Sequence, residues 1–471
     1  MTVSPCRRNS FVEDKDLYKF LLNVQKNCLK NGLRQIVSIS LKIDWVDPLV
    51  ALDKLAQANA INFYFENRDK GEAIAGIDAV TKLQINGEER FIQAEYFIKS
   101  NLRNIISFGN NNQAFAGPHF FCYFSFFSEN NQIDYPFPSA TVFLPRWQIS
   151  LKNQCCTLVM NTVINSSVNI EILLQNLRNK LEFISSLEPY SSNVDYLPAN
   201  LSRKFVAHGE RYKRSVASAL EKIQSSELNK VVLADILDVR SNQHFNLFHS
   251  LNNLRKTHPN CYIFATSNGK GQNFIGASPE RLITIHNQQL ITDALAGSAP
   301  RGKTPAEDAA NADRLLKSEK ERHEHLLVMD FITQRLTQLG LLPQVLPPRL
   351  RQLSNIQHLW TPINAIVPAN VHPLKIVAQL HPTPAVAGAA RDIAYEEIRR
   401  HETFERGLYA APLGWIDSQG NCEFIVGIRS ALLDGDRARL YAGAGIVAGS
   451  DPDREFAEVQ LKLQALLKAL V

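Results

Sequence analysis

The sequence predicts an α+β fold built around antiparallel β-structure. Three observations carry this prediction: strand-like runs occur in clusters, long amphipathic helices separate the clusters, and regular alternation of one strand with one helix is absent. Of the 471 residues, 45% are hydrophobic and 21% are charged, which is an ordinary globular composition. A chain of this length can bury a large core.

The first 200 residues are predicted to form an α/β region without a recognisable catalytic pattern. Apolar runs rich in β-branched and aromatic residues predict strands, at 36–43, 61–67, 91–98, 119–127 and 157–164. Leucine and isoleucine then recur at helical spacing and predict a helix from about residue 170. Two prolines with several serines and asparagines at 188–203 mark the boundary to the second region.

The second region, 201–471, has the same mixture of elements. A helix is predicted between Phe205 and Ile223, and strand-like runs follow at 231–239, 261–267, 273–278, 281–286 and 289–297. A long helix is predicted at 305–339. The last helix is expected to begin at Pro452 with Asp451 as its N-cap.

Composition excludes several classes of protein. The 51 basic and 46 acidic residues are scattered, so no basic stripe is available to follow a nucleic-acid backbone. The amino terminus lacks the apolar segment of a secretory signal, and no apolar run has the length of a bilayer span. Seven cysteines without CxxC spacing indicate reduced thiols. We therefore expect a cytoplasmic protein without nucleic-acid, membrane or obligate protein partners.

Carboxylates on two of the predicted helices suggest an oxygen-only metal site. Glu324 shares the apolar face of its helix with Leu316, where a carboxylate is costly unless it is paired or bound to a metal. Glu455, Glu458 and Lys462 fall on one stripe of the last helix. An exposed charged stripe with an ion pair between Glu458 and Lys462 explains this pattern equally well. The alternative is Mg²⁺ between Glu324 and Glu458, because this hard cation takes oxygen ligands.

Three further features are weak evidence of function when each is taken alone. The glycine-rich segment 443–449 lies between a strand and a helix, but no strand with an acidic residue about 20 positions on follows it. The segment is therefore interpreted as a place where the backbone can approach a small anion closely, and not as a dinucleotide-binding loop. Lys230 opens a strand, where lysine is usually a surface residue. Glu280 follows Pro279, where a carboxylate usually belongs to an exposed turn.

Taken together, eight ordered blocks resemble the chorismate-utilising enzymes, the family of anthranilate synthase component I. The blocks extend over about 205–465, and they read KVVLA, ASPERL, LAGSAPRG, SEKERHEHLLVMDF, QHLWT, LHPTPAVAG, ERGLYAAPLGWID, and FIVGIRSALL with AGAGIVAGSDPDREFAEVQLK. The resemblance implies two stacked antiparallel sheets with helices packed outside. It also implies a chorismate-binding catalytic domain at 201–471, with residues 1–200 supplying part of the same sandwich.

Within the family, the chain resembles the isochorismate synthases. Ala296 stands where aminodeoxychorismate synthases carry a lysine nucleophile, and Lys230 stands where anthranilate synthases carry glutamine. Salicylate synthases share the lysine but generally depart from the LHPTPA motif, so Ala385 favours isochorismate as the released product. Ala390 and Ala411 depart from the usual pattern, although neither replaces a reactive group. A salicylate synthase, an anthranilate synthase and a relative that only binds ligand are the alternatives.

The resemblance also implies roles for the candidate site residues. Lys230 would be the general base that activates water at C2 of chorismate, and Glu280 would protonate the departing C4 hydroxyl. These roles as base and acid require a neutral lysine and a protonated glutamic acid. Mg²⁺ would be the cofactor, held by Glu324 and Glu458, with Glu455 assisting through water. The residues implied to bind chorismate are Gly297, Ser298, His358, Thr383, Ala385, Tyr409, Arg429, Gly443, Gly445 and Lys462.

Among these binding residues, Arg429 and Tyr409 are implied to hold the enolpyruvyl carboxylate, since arginine offers a bidentate fork. His358 and Thr383 are implied to line the ring. The released isochorismate would be consumed by a separate enzyme in quinone, siderophore or salicylate formation, and the sequence does not distinguish these routes.

Overall fold

The computed structural model contains clustered strands and long helices, which confirms the predicted α+β class. It describes residues 15–57, 59–109, 113–129, 135–188, 201–204, 209–353 and 356–470. The predicted boundary at 188–203 lies largely outside these residues. No helix in the described ranges is long and apolar enough to cross a bilayer.

Twenty strands lie in the described part of the chain. The first ten are β1 (Gln35–Ile43), β2 (Ile61–Asn67), β3 (Glu72–Ile85), β4 (Ile105–Gly109), β5 (His119–Phe124), β6 (Ala140–Lys152), β7 (Cys155–Ile164), β8 (Leu201–Lys204), β9 (Lys230–Ser241) and β10 (Tyr262–Asn268). The others are β11 (Gln272–Ser278), β12 (Arg281–His286), β13 (Gln289–Pro300), β14 (Gln344–Val345), β15 (Arg349–Gln352), β16 (Ile356–Ile366), β17 (Pro412–Asp417), β18 (Cys422–Val426), β19 (Ser430–Asp434) and β20 (Arg437–Val447).

Eleven α-helices occur in the same ranges. They are α1 (Lys15–Asn31), α2 (Pro48–Leu55), α3 (Arg90–Leu102), α4 (Ile170–Ser185), α5 (Gly209–Gln224), α6 (Leu247–Thr257), α7 (Pro305–Lys317), α8 (Glu319–Gln338), α9 (Pro373–Leu380), α10 (Arg391–His401) and α11 (Pro452–Leu470). The prediction for the start of α11 is confirmed, because Asp451 Oδ1 accepts from the Arg454 N–H at 3.0 Å.

The strands form two sheets that share β3 and β6. These two long strands pair with each other from Glu72 to Ile85 and from Ala140 to Lys152. One sheet runs in the order β4-β1-β7-β6-β3-β2-β10-β11-β19-β20-β9-β8. The other runs β3-β6-β5-β17-β18-β12-β13-β16, with β14 and β15 on the far side of β16. The pairing of β1 with β4 is parallel and the other pairings are antiparallel.

Strands from the first 200 residues hydrogen-bond directly into the sheets of the second region. β2 pairs with β10, and β5 pairs with β17. One buried apolar cluster takes in residues from both sheets, among them Phe121, Phe264, Ile283 and Leu440. The two regions therefore share a core.

The prediction of a strand at 91–98 is wrong, because this run lies within α3. The buried residues of the helix are Arg90, Ala94 and Ile98, which recur every four positions along one face. The aromatic and β-branched content of the run suggested a strand. The spacing of its buried positions decides the structure instead.

The predicted long helix at 305–339 is two helices that meet at Ser318. This residue has extended backbone angles, φ −68° and ψ 118°, and its side chain accepts from the Glu321 N–H as the N-cap of α8. Because of this break, residues of the two helices do not lie on one continuous helical face. Leu316, predicted to share the apolar face of Glu324, is 44% exposed at the end of α7.

The sheets bring the site-bearing elements together. β9 and β20 are neighbours, with Val232 opposite Gly445. Helix α8 packs on β13, and α11 packs on β20. The segment between α9 and α10 joins them through a bridge between Gly388 and Val231. These four contacts surround a single cavity.

Candidate active site

A cavity lies between the sheets, α8, α11 and the segment that follows α9. It encloses about 820 Å³ of space, part of which is open to solvent. The predicted site residues that line it are Glu280, Gly297, Ser298, Glu324, His358, Ala385, Tyr409, Arg429, Gly443, Gly445, Glu455, Glu458 and Lys462.

Lys230 is fully buried behind the cavity wall and is not itself a lining residue, in contrast to the surface position that is usual for a lysine at the start of a strand. Its Nζ donates to Glu324 Oε1 at 2.8 Å, and its side chain is 0% exposed. Gly445 makes room for this ion pair, since a Cβ there would lie 2.6 Å from Glu324 Oε1 and 3.2 Å from Lys230 Cε. The glycine-rich segment therefore belongs to β20, where it admits the two side chains at close range.

Glu280 is also buried, at 4% exposure, although an exposed turn was the ordinary expectation for it. Its backbone is fixed on both sides: the Val426 N–H donates to its carbonyl at 3.1 Å, and its own N–H donates to Ser278 Oγ at 3.1 Å. Burial raises the pKa of Glu280 to about 8, with Lys230 opposing the shift and Asp293 adding to it. The carboxyl group therefore holds its proton at neutral pH, as a general acid must.

Arg429 is a cation without an acid partner at the cavity. Its Nη2 donates to His358 Nε2 at 3.3 Å, and no ion pair to its guanidinium occurs within the described residues. Burial and the neighbouring Arg429 place the pKa of His358 well below its usual value, so this imidazole is neutral. Since Nε2 accepts, Nδ1 carries the hydrogen and donates to Ser298 Oγ at 3.0 Å. The arrangement leaves Arg429 able to bind an anion.

Lys462 joins two other parts of the cavity wall. Its Nζ donates to the Gly443 carbonyl at 2.8 Å and to Glu458 Oε1 at 2.8 Å, which confirms the predicted ion pair. The stripe is not exposed, because the Lys462 and Glu458 side chains are 17% and 28% accessible. Gly443 also permits close approach of Tyr409, whose Oη would lie 2.9 Å from a Cβ at that position.

Two charged residues of the cavity, Lys320 and Glu321, were not predicted from the sequence. Lys320 Nζ donates to Glu455 Oε1 at 2.9 Å and thereby links α8 to α11. Glu321 Oε2 accepts from the Ser298 N–H at 2.8 Å, and burial followed by the charge of Glu324 raises the pKa of Glu321. Glu321 lies one helical turn before Glu324, and this spacing was the available signal.

The carboxylates of α8 and α11 do not form a ready-made metal cage. In the part of the chain that the structure describes, no group of three or more His, Cys, Asp or Glu side chains is placed to hold an ion. Each predicted ligand is paired with a lysine instead: Glu324 with Lys230, Glu455 with Lys320, and Glu458 with Lys462. The candidate ligand atoms that α8 and α11 bring to the cavity are nevertheless carboxylate oxygens, and such a set suits Mg²⁺.

Thr383 does not line the cavity, contrary to its predicted position at the ring. Its Oγ1 is buried without a hydrogen-bond partner among the described residues, and its carbonyl accepts from the Ala387 N–H at 3.0 Å. This turn presents Ala385 to the cavity. Arg406 fixes the turn against β9 by donating to the carbonyls of Val386 at 2.8 Å and Val232 at 2.7 Å.

Fold and site together define a class of enzyme. A buried acid with a raised pKa, a buried lysine and an arginine without an acid partner at one cavity suit acid–base chemistry on a small anionic substrate. A family model described as chorismate binding enzyme matches residues 22–471. The chain therefore belongs to the family of chorismate binding enzymes, which confirms the resemblance seen in the sequence.

Individual relatives agree with this assignment. The chain is 30% identical over 448 residues to the isochorismate synthase MenF of Bacillus subtilis, covering 92% of this chain and 93% of that protein. It is 40% identical over 261 residues to the salicylate biosynthesis isochorismate synthase of Pseudomonas aeruginosa, a match that spans 55% of this chain and 54% of the relative. The solved structure of Escherichia coli MenF, a menaquinone-specific isochorismate synthase, superposes with a TM-score of 0.76 at 26% identity, over 96% of this chain and 100% of that one.

Proposed function

We propose that this protein is an isochorismate synthase, an isomerase that converts chorismate to isochorismate. The observation that carries the proposal is that two buried titratable groups meet at one site: Glu280 lines the cavity with a pKa that burial raises to about 8, and Lys230 lies behind the wall in contact with Glu324. The relatives named isochorismate synthase support the same activity.

The proposed reaction needs one acid and one base. Water adds at C2 and gives a proton to Lys230, the ring double bonds shift, and the C4 hydroxyl leaves as water with the proton of Glu280. The substrate and product are isomers, so the net change is the movement of one hydroxyl group. Lys230 Nζ donates to Glu324, so the lysine has to lose one proton and this bond before it can accept a proton from water. After turnover, a proton has to pass from Lys230 back to Glu280, which restores the starting state of both groups.

Two cations are proposed to hold the carboxylates of chorismate. Arg429 has no acid partner in the described residues and lies at the cavity, so it can bind the enolpyruvyl carboxylate with Tyr409 beside it. Lys462 is held between Gly443 and Glu458 at another part of the wall and contributes positive charge there.

We also propose that Glu324 and Glu458 hold Mg²⁺, with Glu455 and Glu321 assisting. The proposal rests on four carboxylates from two helices at one cavity, and on the raised pKa values that burial causes at Glu321 and Glu455. Bound Mg²⁺ would neutralise these carboxylates and orient a substrate carboxylate. The lysines that now pair with Glu324, Glu455 and Glu458 would then be freed.

Removal of divalent metal is expected to stop turnover, and added Mg²⁺ is expected to restore it. Glu324→Gln and Glu458→Gln should each raise the Mg²⁺ concentration needed for half-maximal activity, because each removes an anionic ligand. Glu319→Gln, an exposed position on the same helix as Glu324, is the matched control and should behave as the unaltered protein. Full activity in metal-free buffer would refute the metal site.

The product is expected to be isochorismate without release of pyruvate. Purified protein would be incubated with chorismate and Mg²⁺, the products separated by chromatography, and pyruvate followed with a coupled enzyme. Stoichiometric pyruvate with fluorescent salicylate would instead assign the protein as a salicylate synthase. Ammonia-dependent formation of anthranilate would assign the protein as an anthranilate synthase.

A further inference from the structure

Arg90 is a buried cation outside the catalytic cavity, and the proposed reaction does not use it. The residue is 6% exposed, its Nε is enclosed without a hydrogen-bond partner, and no ion pair or hydrogen bond to its guanidinium occurs within the described residues. Its guanidinium lies over the face of the neighbouring Phe91 ring, 4.9 Å from the ring centroid. An unpaired buried charge costs on the order of several kcal/mol, so a bound anion would stabilise a position of this kind.

A second guanidinium reaches the same place. The enclosed Nε of Arg391 also lacks a partner in the described chain, while its Nη2 donates to the Gln379 carbonyl at 2.7 Å. Arg90 and Arg391 both act on the buried His381, whose pKa burial and then Arg90 hold well below its usual value. The Phe91 ring that Arg90 covers lies 6.3 Å from the His381 ring, and the carbonyl that Arg391 contacts belongs to Gln379, two residues before His381. The two arginines, from different helices, therefore lie in one region.

Tyr395 lies in the same region, because its ring packs 5.6 Å from Phe126, which in turn packs 5.7 Å from the His381 ring. Burial raises the pKa of Tyr395, and the guanidinium groups of Arg391, Arg90, Arg406 and Arg399 oppose that rise, so the hydroxyl lies in a cationic environment. The nearby acids of the described chain do not form ion pairs with Arg90 or Arg391. Burial lowers the pKa of both arginines, and Glu88 opposes this shift at Arg90, and Asp392 at Arg391, by charge alone, without a hydrogen bond. Glu402 is paired with Arg406.

The backbone adds further positive potential. Arg90 is the first residue of α3 and Arg391 is the first residue of α10. Neither helix has a side-chain N-cap, since Glu89 and Ala390 make no capping hydrogen bond. An arginine at a helix N-terminus opposes the helix dipole, whereas an anion there is stabilised by the free N–H groups.

We propose that Arg90, at the start of α3, and Arg391 and Tyr395, in the first two turns of α10, form a binding site for a small oxyanion, a phosphate or carboxylate group of a metabolite. None of these three residues lines the catalytic cavity, so the site is separate from the chorismate site. Arg391 closes the chain segment that begins after Gln379 and presents Ala385 to that cavity. An anion bound here would therefore contact the arginine that holds this segment at Gln379.

The test is a calorimetric titration with inorganic phosphate and, separately, with benzoate, at ionic strength kept constant with NaCl. One of the two anions should bind, and Arg90→Met should lower its affinity about tenfold or more, since a charge-assisted hydrogen bond is lost. Arg391→Met should do the same. Arg103→Met, an exposed arginine at the other end of α3, is the matched control and should bind as the unaltered protein does.

Phosphate binding without benzoate binding would identify a phosphate group as the ligand chemistry, and the reverse result would identify a carboxylate. Binding that survives in Arg90→Met but is lost in Arg429→Met would place the anion in the catalytic cavity and overturn the proposal. Absence of binding by either anion would also overturn it. Thermal melting in anion-free buffer gives an independent check: Arg90→Met should be at least as stable as the unaltered protein, and a large drop in its Tm would show that Arg90 serves the fold alone.

Discussion

Lys230→Ala should lower kcat by about 100-fold or more, the usual scale of general-base catalysis. Lys230 is fully buried, and its Nζ donates to the cavity residue Glu324 at 2.8 Å. The measurement is steady-state isomerisation of chorismate at saturating Mg²⁺. Chorismate binding should persist, because Arg429 and Tyr409 are untouched.

Lys270→Ala is the control for this change, since Lys270 is exposed in the turn between β10 and β11. It should leave kcat unaltered. A Lys230→Ala protein with near-normal kcat would show that the lysine serves only as the partner of Glu324. In that case the melting temperature would fall while the turnover per folded molecule did not.

Glu280→Gln should cause a loss of similar size, about 100-fold or more, because the amide keeps the shape of the side chain but cannot give a proton to the leaving hydroxyl. Burial raises the pKa of Glu280 to about 8, so the group is protonated and active below that pH. The kcat of the unaltered protein should therefore decline as the pH rises through about 8.

The pH profile of the variant provides the decisive comparison. The residual activity of Glu280→Gln should lack the alkaline decline, since the titrating group is gone. Persistence of the same decline in the variant would assign it to another group and remove Glu280 from the role of general acid. Measuring the profiles at saturating chorismate separates this effect on kcat from any change in binding.

The ordered blocks of sequence were sufficient to predict the family and most of the cavity. Glu280, Arg429 and Glu458 were named from motifs, and all three line the cavity. Thr383 was named in the same way and does not, because its turn directs Ala385 inward and leaves the threonine hydroxyl buried behind it. A motif identifies a segment, whereas the turn within it decides which side chains reach the site.

Local structure was predicted well where hydrophobic spacing was unambiguous. The helix from residue 170 and the strand at 231–239 are both found. The run 91–98 was assigned as a strand because its composition is β-prone, although its buried positions recur with helical spacing. Ser318 divides a continuous helical pattern because its hydroxyl caps the second helix, an effect of one side chain that periodicity does not register.

The sequence by itself determined the α+β class, the family, and the chemical types of residue at the site, since these depend on patterning and on motifs that are local in the chain. Only the tertiary structure decided the electrostatics of the site. Lys230 and Glu324 are 94 residues apart in the chain and form an ion pair because Gly445, on a third element, has no side chain to separate them. The raised pKa of Glu280 has the same origin: burial by residues distant in sequence removes water from its carboxyl group, and a single sequence does not encode that burial in any local pattern.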